Sequence, residues 1–166
     1  PADAARKGVR DGGGLGARYF CTDICDGESQ GTDGINFSLV SREMIAGMIE
    51  IHANATPFDA GVFIASCDKG LPGNLIGLCR ADIPSVVVPG GTMNAGPELL
   101  TLEQLGAYSA RYERGEIGEE KLDWAKQNAC PSCGACSFIG SAWTMQMMAE
   151  ALGLALPGSA LLPAES

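Results

Sequence analysis

Two short apolar runs constrain this chain more than anything else in it: Gly61-Val62-Phe63-Ile64-Ala65 and Ser85-Val86-Val87-Val88. Each is short, rich in β-branched residues and bounded by turn formers, so each reads as a buried strand. Between them, a stretch from about Pro72 to Arg80 has helical character, with its proline in a permitted first-turn position. Strand–helix–strand order predicts parallel pairing, and parallel sheets are covered by helices. The expected fold class is therefore α/β, a parallel sheet flanked by helices on both faces.

The remaining pattern fits that frame. Ala17 to Thr22 reads as a further strand, leading into a glycine-rich loop that carries Asp26. A helix is expected from near Ser41, a plausible N-cap, to Ala55, with Met44, Ile45, Met48, Ile49 and His52 at helical spacing. Thr101-Leu102-Glu103-Gln104 fits a capping box for a helix through Arg114. Further helices are expected over 119–128 and 138–152. His52 on an apolar face reads as a satisfied, half-buried histidine. Met145, Met147 and Met148 read as core packing or an interface, and Gly90-Gly91 as a tight turn after a strand.

Chemistry concentrates where the first run ends, at Ser66-Cys67-Asp68-Lys69-Gly70-Leu71-Pro72-Gly73. A thiol, a carboxylate and an amine sit consecutively at the carboxyl end of a strand, where open α/β sheets bind ligands. A soft ligand beside a hard one suits two different metals at one site. On its own the triplet is equally compatible with an inert buried Cys beside a solvated Asp-Lys pair. A second segment, Cys130-Pro131-Ser132-Cys133-Gly134-Ala135-Cys136, places three thiols just before the helix expected over 138–152. A helix N-terminus favours thiolate over thiol. Such thiolates suit an iron–sulfur cluster, zinc or redox chemistry, and the spacing alone does not choose among them.

Composition narrows the partners. A net charge of −9 over 166 residues argues against nucleic acid and anionic membrane surfaces. No apolar run is long enough to cross a bilayer, and no signal-peptide pattern opens the sequence. Seven cysteines, odd in number and clustered, do not read as a disulfide framework. They point to a reducing compartment, either the cytoplasm or an organelle stroma or matrix.

Taken together, four motifs resemble the dihydroxy-acid dehydratase and sugar-acid (6-phosphogluconate, aldonate) dehydratase family. They are Cys25-Asp26-Gly27-Glu28-Ser29-Gln30-Gly31, Ser38-Leu39-Val40-Ser41-Arg42-Glu43, Cys67-Asp68-Lys69 with Pro72-Gly73, and Cys130 through Cys136. The segment Glu150 to Gly158 matches as well, and the motifs stand in the family's order. Residues 1–14 resemble the end of a family helix. The expectation is one α/β domain over 1–166, cut at both ends: part of the N-terminal domain of a larger two-domain enzyme whose second domain lies downstream.

The resemblance implies roles residue by residue. Cys67 and Cys136 match iron–sulfur cluster ligands, the cluster being [2Fe-2S] or [4Fe-4S]. Asp26, Asp68 and Lys69 match a magnesium site, with Lys69 as a carbamate, since an ammonium cannot ligate a cation and a carbamate oxygen can. Glu28 is a rival for the Asp26 role, and Cys25, Cys130 and Cys133 rank below the main ligands. The family's first cluster cysteine lies upstream of the matched region; Cys25 is a candidate substitute. No catalytic base is assigned here, because the family's serine base and last magnesium carboxylate lie downstream.

The implied reaction is dehydration of a 2,3-dihydroxy acid to a 2-keto acid by a hydro-lyase, a homo-oligomer when complete, with a small hydroxy acid as its partner. The three-cysteine segment leans toward the dihydroxy-acid dehydratases of branched-chain amino acid synthesis. The Cys25–Gly31 motif and the ending Leu162 to Ser166 lean toward sugar-acid dehydratases. From another class comes a non-catalytic iron–sulfur or zinc-binding module, which leaves Asp68 and Lys69 without a role.

Overall fold

Gly61 lies opposite Ser85 and Ala65 opposite Pro89 in a parallel pair, β1 (Gly61–Ala65) and β2 (Ser85–Pro89), in a computed structural model that describes residues 1–166. Seven α-helices accompany the pair: α1 (Ala2–Asp11), α2 (Asp26–Ser29), α3 (Ser38–Ala55), α4 (Gly70–Ala81), α5 (Gln104–Glu113), α6 (Glu119–Asn128) and α7 (Ser141–Ala151). The protein is α/β, as the two apolar runs require, and α4 is the crossover between its strands. No helix is long and apolar enough to cross a membrane.

The main core lies where α4 and α7 meet the sheet. Leu71 and Leu78 of α4, Val87 of β2, Ala149 of α7 and Ala155 are buried together, with Phe63, Leu75 and Met145 packed against them. Each fully buried leucine contributes about 1.5–3 kcal/mol. A separate small core, Leu100, Ala125 and Ala129 with Leu105, Tyr108 and Trp124, joins α5 to α6. The Lys121 ammonium covers the Trp124 ring at 3.7 Å.

Helices α3 and α4 approach closely because glycine recurs at helical spacing. A Cβ on Gly73 would stand 3.0 Å from the Ile45 Cβ, and one on Gly77 2.7 Å from the Ile49 Cβ. Two β-branched side chains of α3 thus seat in two gaps of α4, ridge into groove. That contact fixes α4 against the middle of α3.

The far edge of β2 is not free. The Val87 amide donates to the Leu154 carbonyl at 2.7 Å, and Val87 bridges Ala155 in parallel. Farther along, Thr92 bridges both Ala135 and Pro163. Its amide donates to the Leu162 carbonyl at 3.0 Å, and its carbonyl accepts from the Ala164 amide at 2.9 Å. On the other side the Met93 amide donates to the Ala135 carbonyl at 2.7 Å.

Several expected boundaries move. Ala17 to Thr22 is not a strand; residues 14–25 run as an extended arm without a ladder. The arm is pinned by Tyr19, whose ring lies 4.4 Å from His52 and 5.4 Å from Phe58. His52 is indeed half-buried, against that ring. Helix α3 starts at Ser38 because a 3-10 turn over Asp33–Phe37 feeds directly into it. Ser41 is therefore inside the helix, its hydroxyl donating to the Ser38 carbonyl at 2.6 Å rather than capping. Half of the capping box survives: Gln104 Oε1 accepts the Thr101 amide at 3.2 Å, but α5 begins only at Gln104. The helix expected from Phe138 begins at Ser141, because the Gly140 amide turns back to the Phe138 carbonyl. Helix α6 has the bounds expected.

Candidate metal centre

Asp26 opens α2, and Lys69 is the residue that precedes α4. They are 43 positions apart in sequence, yet Lys69 Nζ donates to Asp26 Oδ2 at 2.9 Å. The same ammonium pairs with Asp68 Oδ2. Ser38, buried at the start of α3, donates its hydroxyl to Asp26 Oδ2 at 2.6 Å. Asp26 Oδ1 is buried with no partner. One carboxylate oxygen is thus fully engaged and the other is free.

Burial by itself pushes the Asp26 carboxyl up; the Ser38 hydroxyl and the Lys69 ammonium outweigh it, and the group titrates below its ordinary 3.8. For Lys69, burial disfavours the charged form, but Asp68 and Asp26 hold the ammonium above its ordinary 10.5. The lysine is a cation held between two carboxylates. It stands where the resemblance places a divalent ion among the same side chains.

Beside this trio lies a cavity of about 330 Å³ whose lining includes Cys25, Asp26, Cys67, Asp68 and Cys136. Three thiols and two carboxylates from three separate segments therefore share one space. The lining also includes the apolar residues Leu102, Phe138, Ala142 and Trp143. The Trp143 indole Nε1 is buried with no partner. Gly134 makes the Cys133–Cys136 turn possible, with φ +111 and a would-be Cβ 2.7 Å from the Met93 amide nitrogen.

Burial is the main influence on the thiols. It pushes Cys67 up to about 11, and it raises Cys136, Cys130 and Cys21 as well. The expected stabilisation of thiolates by a helix N-terminus is not realised, because α7 begins five residues after Cys136. Without metal these are thiols, and ligation must displace their protons.

The donor set fits in kind the groups the resemblance implies: soft sulfur from Cys25, Cys67 and Cys136 and hard oxygen from Asp26 and Asp68 line one cavity. Fit in kind is not yet convergence. No three Cys, His, Asp or Glu side chains come together closely enough to hold a single metal ion. Cys67 and Cys136 would hold a cluster, with Cys25 on the same wall; Asp26 and Asp68, and Lys69 once it is a carbamate, would hold magnesium. Cys130 and Cys133 are exposed and do not line the cavity. Glu28 is also exposed and outside it.

Sequence reasoning missed three contributors. Ser38 lies inside a quoted motif but carried no role until its hydroxyl was seen on Asp26. Asp23 has a buried, unpartnered Oδ1, and its carboxyl is raised chiefly by burial, with the Ile24 and Gly70 amides pulling it the other way. The apolar wall of Leu102, Phe138 and Trp143 assembles from segments that no local pattern connects.

A sequence model of the dihydroxy-acid/6-phosphogluconate dehydratase N-terminal region matches residues 1–166. A protein of Nitratidesulfovibrio vulgaris named dihydroxy-acid dehydratase is 45% identical, over 98% of this chain and 30% of its own length. One of Solidesulfovibrio magneticus with the same name is 42% identical, over 99% of this chain and 30% of its own length. Another of Caldanaerobacter subterraneus subsp. tengcongensis is 44% identical, over 98% and 30%. The chain spans about a third of the length of the curated relatives it matches.

Proposed function

The chain belongs to the dihydroxy-acid/6-phosphogluconate dehydratase family, and on that premise we propose that it supplies the metal-binding part of a hydro-lyase. The reaction removes the 3-hydroxyl and the C2 proton of a 2,3-dihydroxy acid as water, leaving an enol that tautomerises to the 2-keto acid. The observation that carries the reading is the meeting of Asp26, Asp68 and Lys69 at one point, beside a cavity shared by Cys25, Cys67 and Cys136. A zinc or iron–sulfur binding module needs the thiols but gives no reason for that carboxylate–lysine trio.

When bound, an iron–sulfur cluster would polarise the departing hydroxyl, and magnesium would hold the substrate carboxylate and 2-hydroxyl. The chain's own residues prepare both positions. Ser38 fixes one oxygen of Asp26 and leaves the other pointing free. The Lys69 ammonium holds the Asp26 and Asp68 carboxylates in one place. Loss of its proton and addition of CO2 to the neutral amine, with release of a second proton, would make Lys69 a carbamate and add a third oxygen donor. The apolar residues Leu102, Phe138, Ala142 and Trp143 suit a short branched carbon skeleton better than a polyol chain. They, and the relatives named dihydroxy-acid dehydratase, favour the dihydroxy acids of branched-chain amino acid synthesis over sugar acids. Seven free cysteines suit a reducing compartment, cytoplasm or organelle interior.

The test uses the complete protein, assembled without oxygen and loaded with iron, sulfide and magnesium. Branched 2,3-dihydroxy acids and five- or six-carbon aldonates are offered side by side, and keto acid is measured as its hydrazone. Keto acid from the branched acids, with iron lost in Cys67→Ser and Cys136→Ser but kept in Cys79→Ser, supports the proposal. A fully loaded protein that dehydrates neither class would replace it with the binding module.

A further inference from the structure

A second cavity, of about 280 Å³, lies on the other side of Cys67, which lines both. Its polar lining includes Cys21, Asp23, Ser66 and Asn74. Two atoms there, Asp23 Oδ1 and Ser66 Oγ, are buried without partners. Asp23 comes from the extended arm, yet its Oδ2 occupies the space that a Cβ on Gly70 would take. Gly70 is the first residue of α4 and is buried; the position before it, Lys69, gives the helix no side-chain cap. A carboxylate against the uncapped start of a twelve-residue helix is electrostatically favoured there.

We infer that Asp23 is a positioning residue for the metal turn: seated over Gly70, it sets the direction in which Cys67, Asp68 and Lys69 leave the strand. The inference rests on the metal-site reading above for its functional meaning, but its geometry does not. Gly73 and Gly77 seat α4 against α3, and Asp23 meets its first residue, Gly70. The turn's other ties are the Lys69–Asp26 pair, the Ala65 carbonyl, which accepts the Gly90 amide at 2.9 Å, and Ser66, packed against Gly90. The arm, which forms no ladder, thereby gains a reason for its path. It carries Tyr19 to His52 and Asp23 to Gly70, and then delivers Asp26 to Lys69.

The two positions make an unusual prediction together. Asp23→Ala removes the hold, and Gly70→Ala places a methyl group where the carboxylate sits, so each alone should disturb the turn. Combined, the shortened side chain vacates the space the methyl needs. The experiment uses the complete protein with four variants: Asp23→Ala, Asp23→Asn, Gly70→Ala and the Asp23→Ala/Gly70→Ala double.

Two readouts are taken. The first is the alkylation rate of Cys67 in metal-free protein, followed by peptide mass spectrometry and compared with exposed Cys79. Expected are a rise of tenfold or more in Asp23→Ala and Gly70→Ala, near-parent behaviour in Asp23→Asn, and a double variant no faster than Asp23→Ala. The second is iron content and magnesium affinity of the loaded protein, expected to fall in the same order while the metal-free melting temperature moves little. Parent-like Cys67 rates in Asp23→Ala, or strictly multiplicative rates in the double variant, overturn the inference. A parent protein that binds neither iron nor magnesium overturns the metal-site reading instead, and the alkylation result still decides the role of Asp23.

Discussion

Lys69 Nζ and Asp26 Oδ2 stand 2.9 Å apart, with side chains only 16% and 21% exposed, and this contact ties α2 to the start of α4. Neither residue belongs to a hydrophobic core. The site is therefore joined by charge rather than by packing, and its stability follows charge.

Replacing the lysine should reveal that dependence. Lys69→Met leaves Asp26 and Asp68 facing one another with no cation between them. Loss of a charged hydrogen bond of this kind costs about 1.5–3 kcal/mol. The variant should melt several degrees lower than the parent in chelator, and millimolar Mg²⁺ should recover more of that loss in the variant than in the parent. Equal magnesium effects in thermal melts of the two would show that the ammonium does not occupy the cation's place.

The pH profile has a definite sign. Asp26 titrates below its ordinary 3.8, so its contribution is complete above that value and disappears as pH falls through the lower folded one. Lys69 titrates above its ordinary 10.5, so its contribution is complete below that value and disappears as pH rises past it. Asp26→Asn should flatten the acid limb of stability against pH and leave the neutral plateau lower. Denaturant midpoints from pH 2 to 8 measure this, and an unchanged acid limb would remove Asp26 from the account.

Thiol chemistry should separate the cysteines by place. Cys67, raised to about 11 by burial, should alkylate slowly at pH 8 and speed up only as pH approaches that value. Cys25, Cys79 and Cys133 are exposed and should react first. The same shift gives metal-free protein a contribution that is complete below pH 9 and lost between about 9 and 11. Mass-resolved iodoacetamide labelling over time gives the order, and a fast Cys67 at pH 8 would contradict it.

Two glycines, Gly47 of α3 and Gly77 of α4, should behave in opposite ways. At Gly77 a Cβ would meet Ile49 at 2.7 Å, so Gly77→Val should cost about 1–3 kcal/mol through overpacking. At Gly47 nothing lies within 4 Å, so Gly47→Ala should stabilise α3 by about 0.5–1 kcal/mol. Urea unfolding of both variants tests the pair, and Ile49→Ala should soften the loss at Gly77.

Much of the site was legible in the sequence because its residues sit in contiguous motifs. Cys67, Asp68 and Lys69 lie at the end of a strand that its apolar run made plain, and α6 is readable from its acidic start and polar face. What could not be read depends on partners distant in sequence. Ala17 to Thr22 has the composition of a strand, but a strand also needs a pairing partner, and residues 14–25 form no bridge with β1 or β2. Tyr19 fixes the arm through His52 instead. Ser41 has the chemistry of a cap, yet a 3-10 turn upstream had already begun the helix. Asp23 shows the same limit most clearly: its part depends on Gly70, and nothing in either residue's neighbourhood names the other.

Thr92 is hydrogen bonded on both sides, to the turn that ends in Cys136 and to residues 162–164. The order of synthesis gives that arrangement a timetable. While the ribosome is still adding residues before Leu162, one edge of Thr92 has nothing to bond, and the Cys136 turn lacks half of its support. The two strands and α4 are all synthesised by residue 89, and Asp23 and Asp26, which meet the start of α4, precede them in the chain. Nascent chain would therefore present Cys67 before the turn that carries Cys136 has all of its partners.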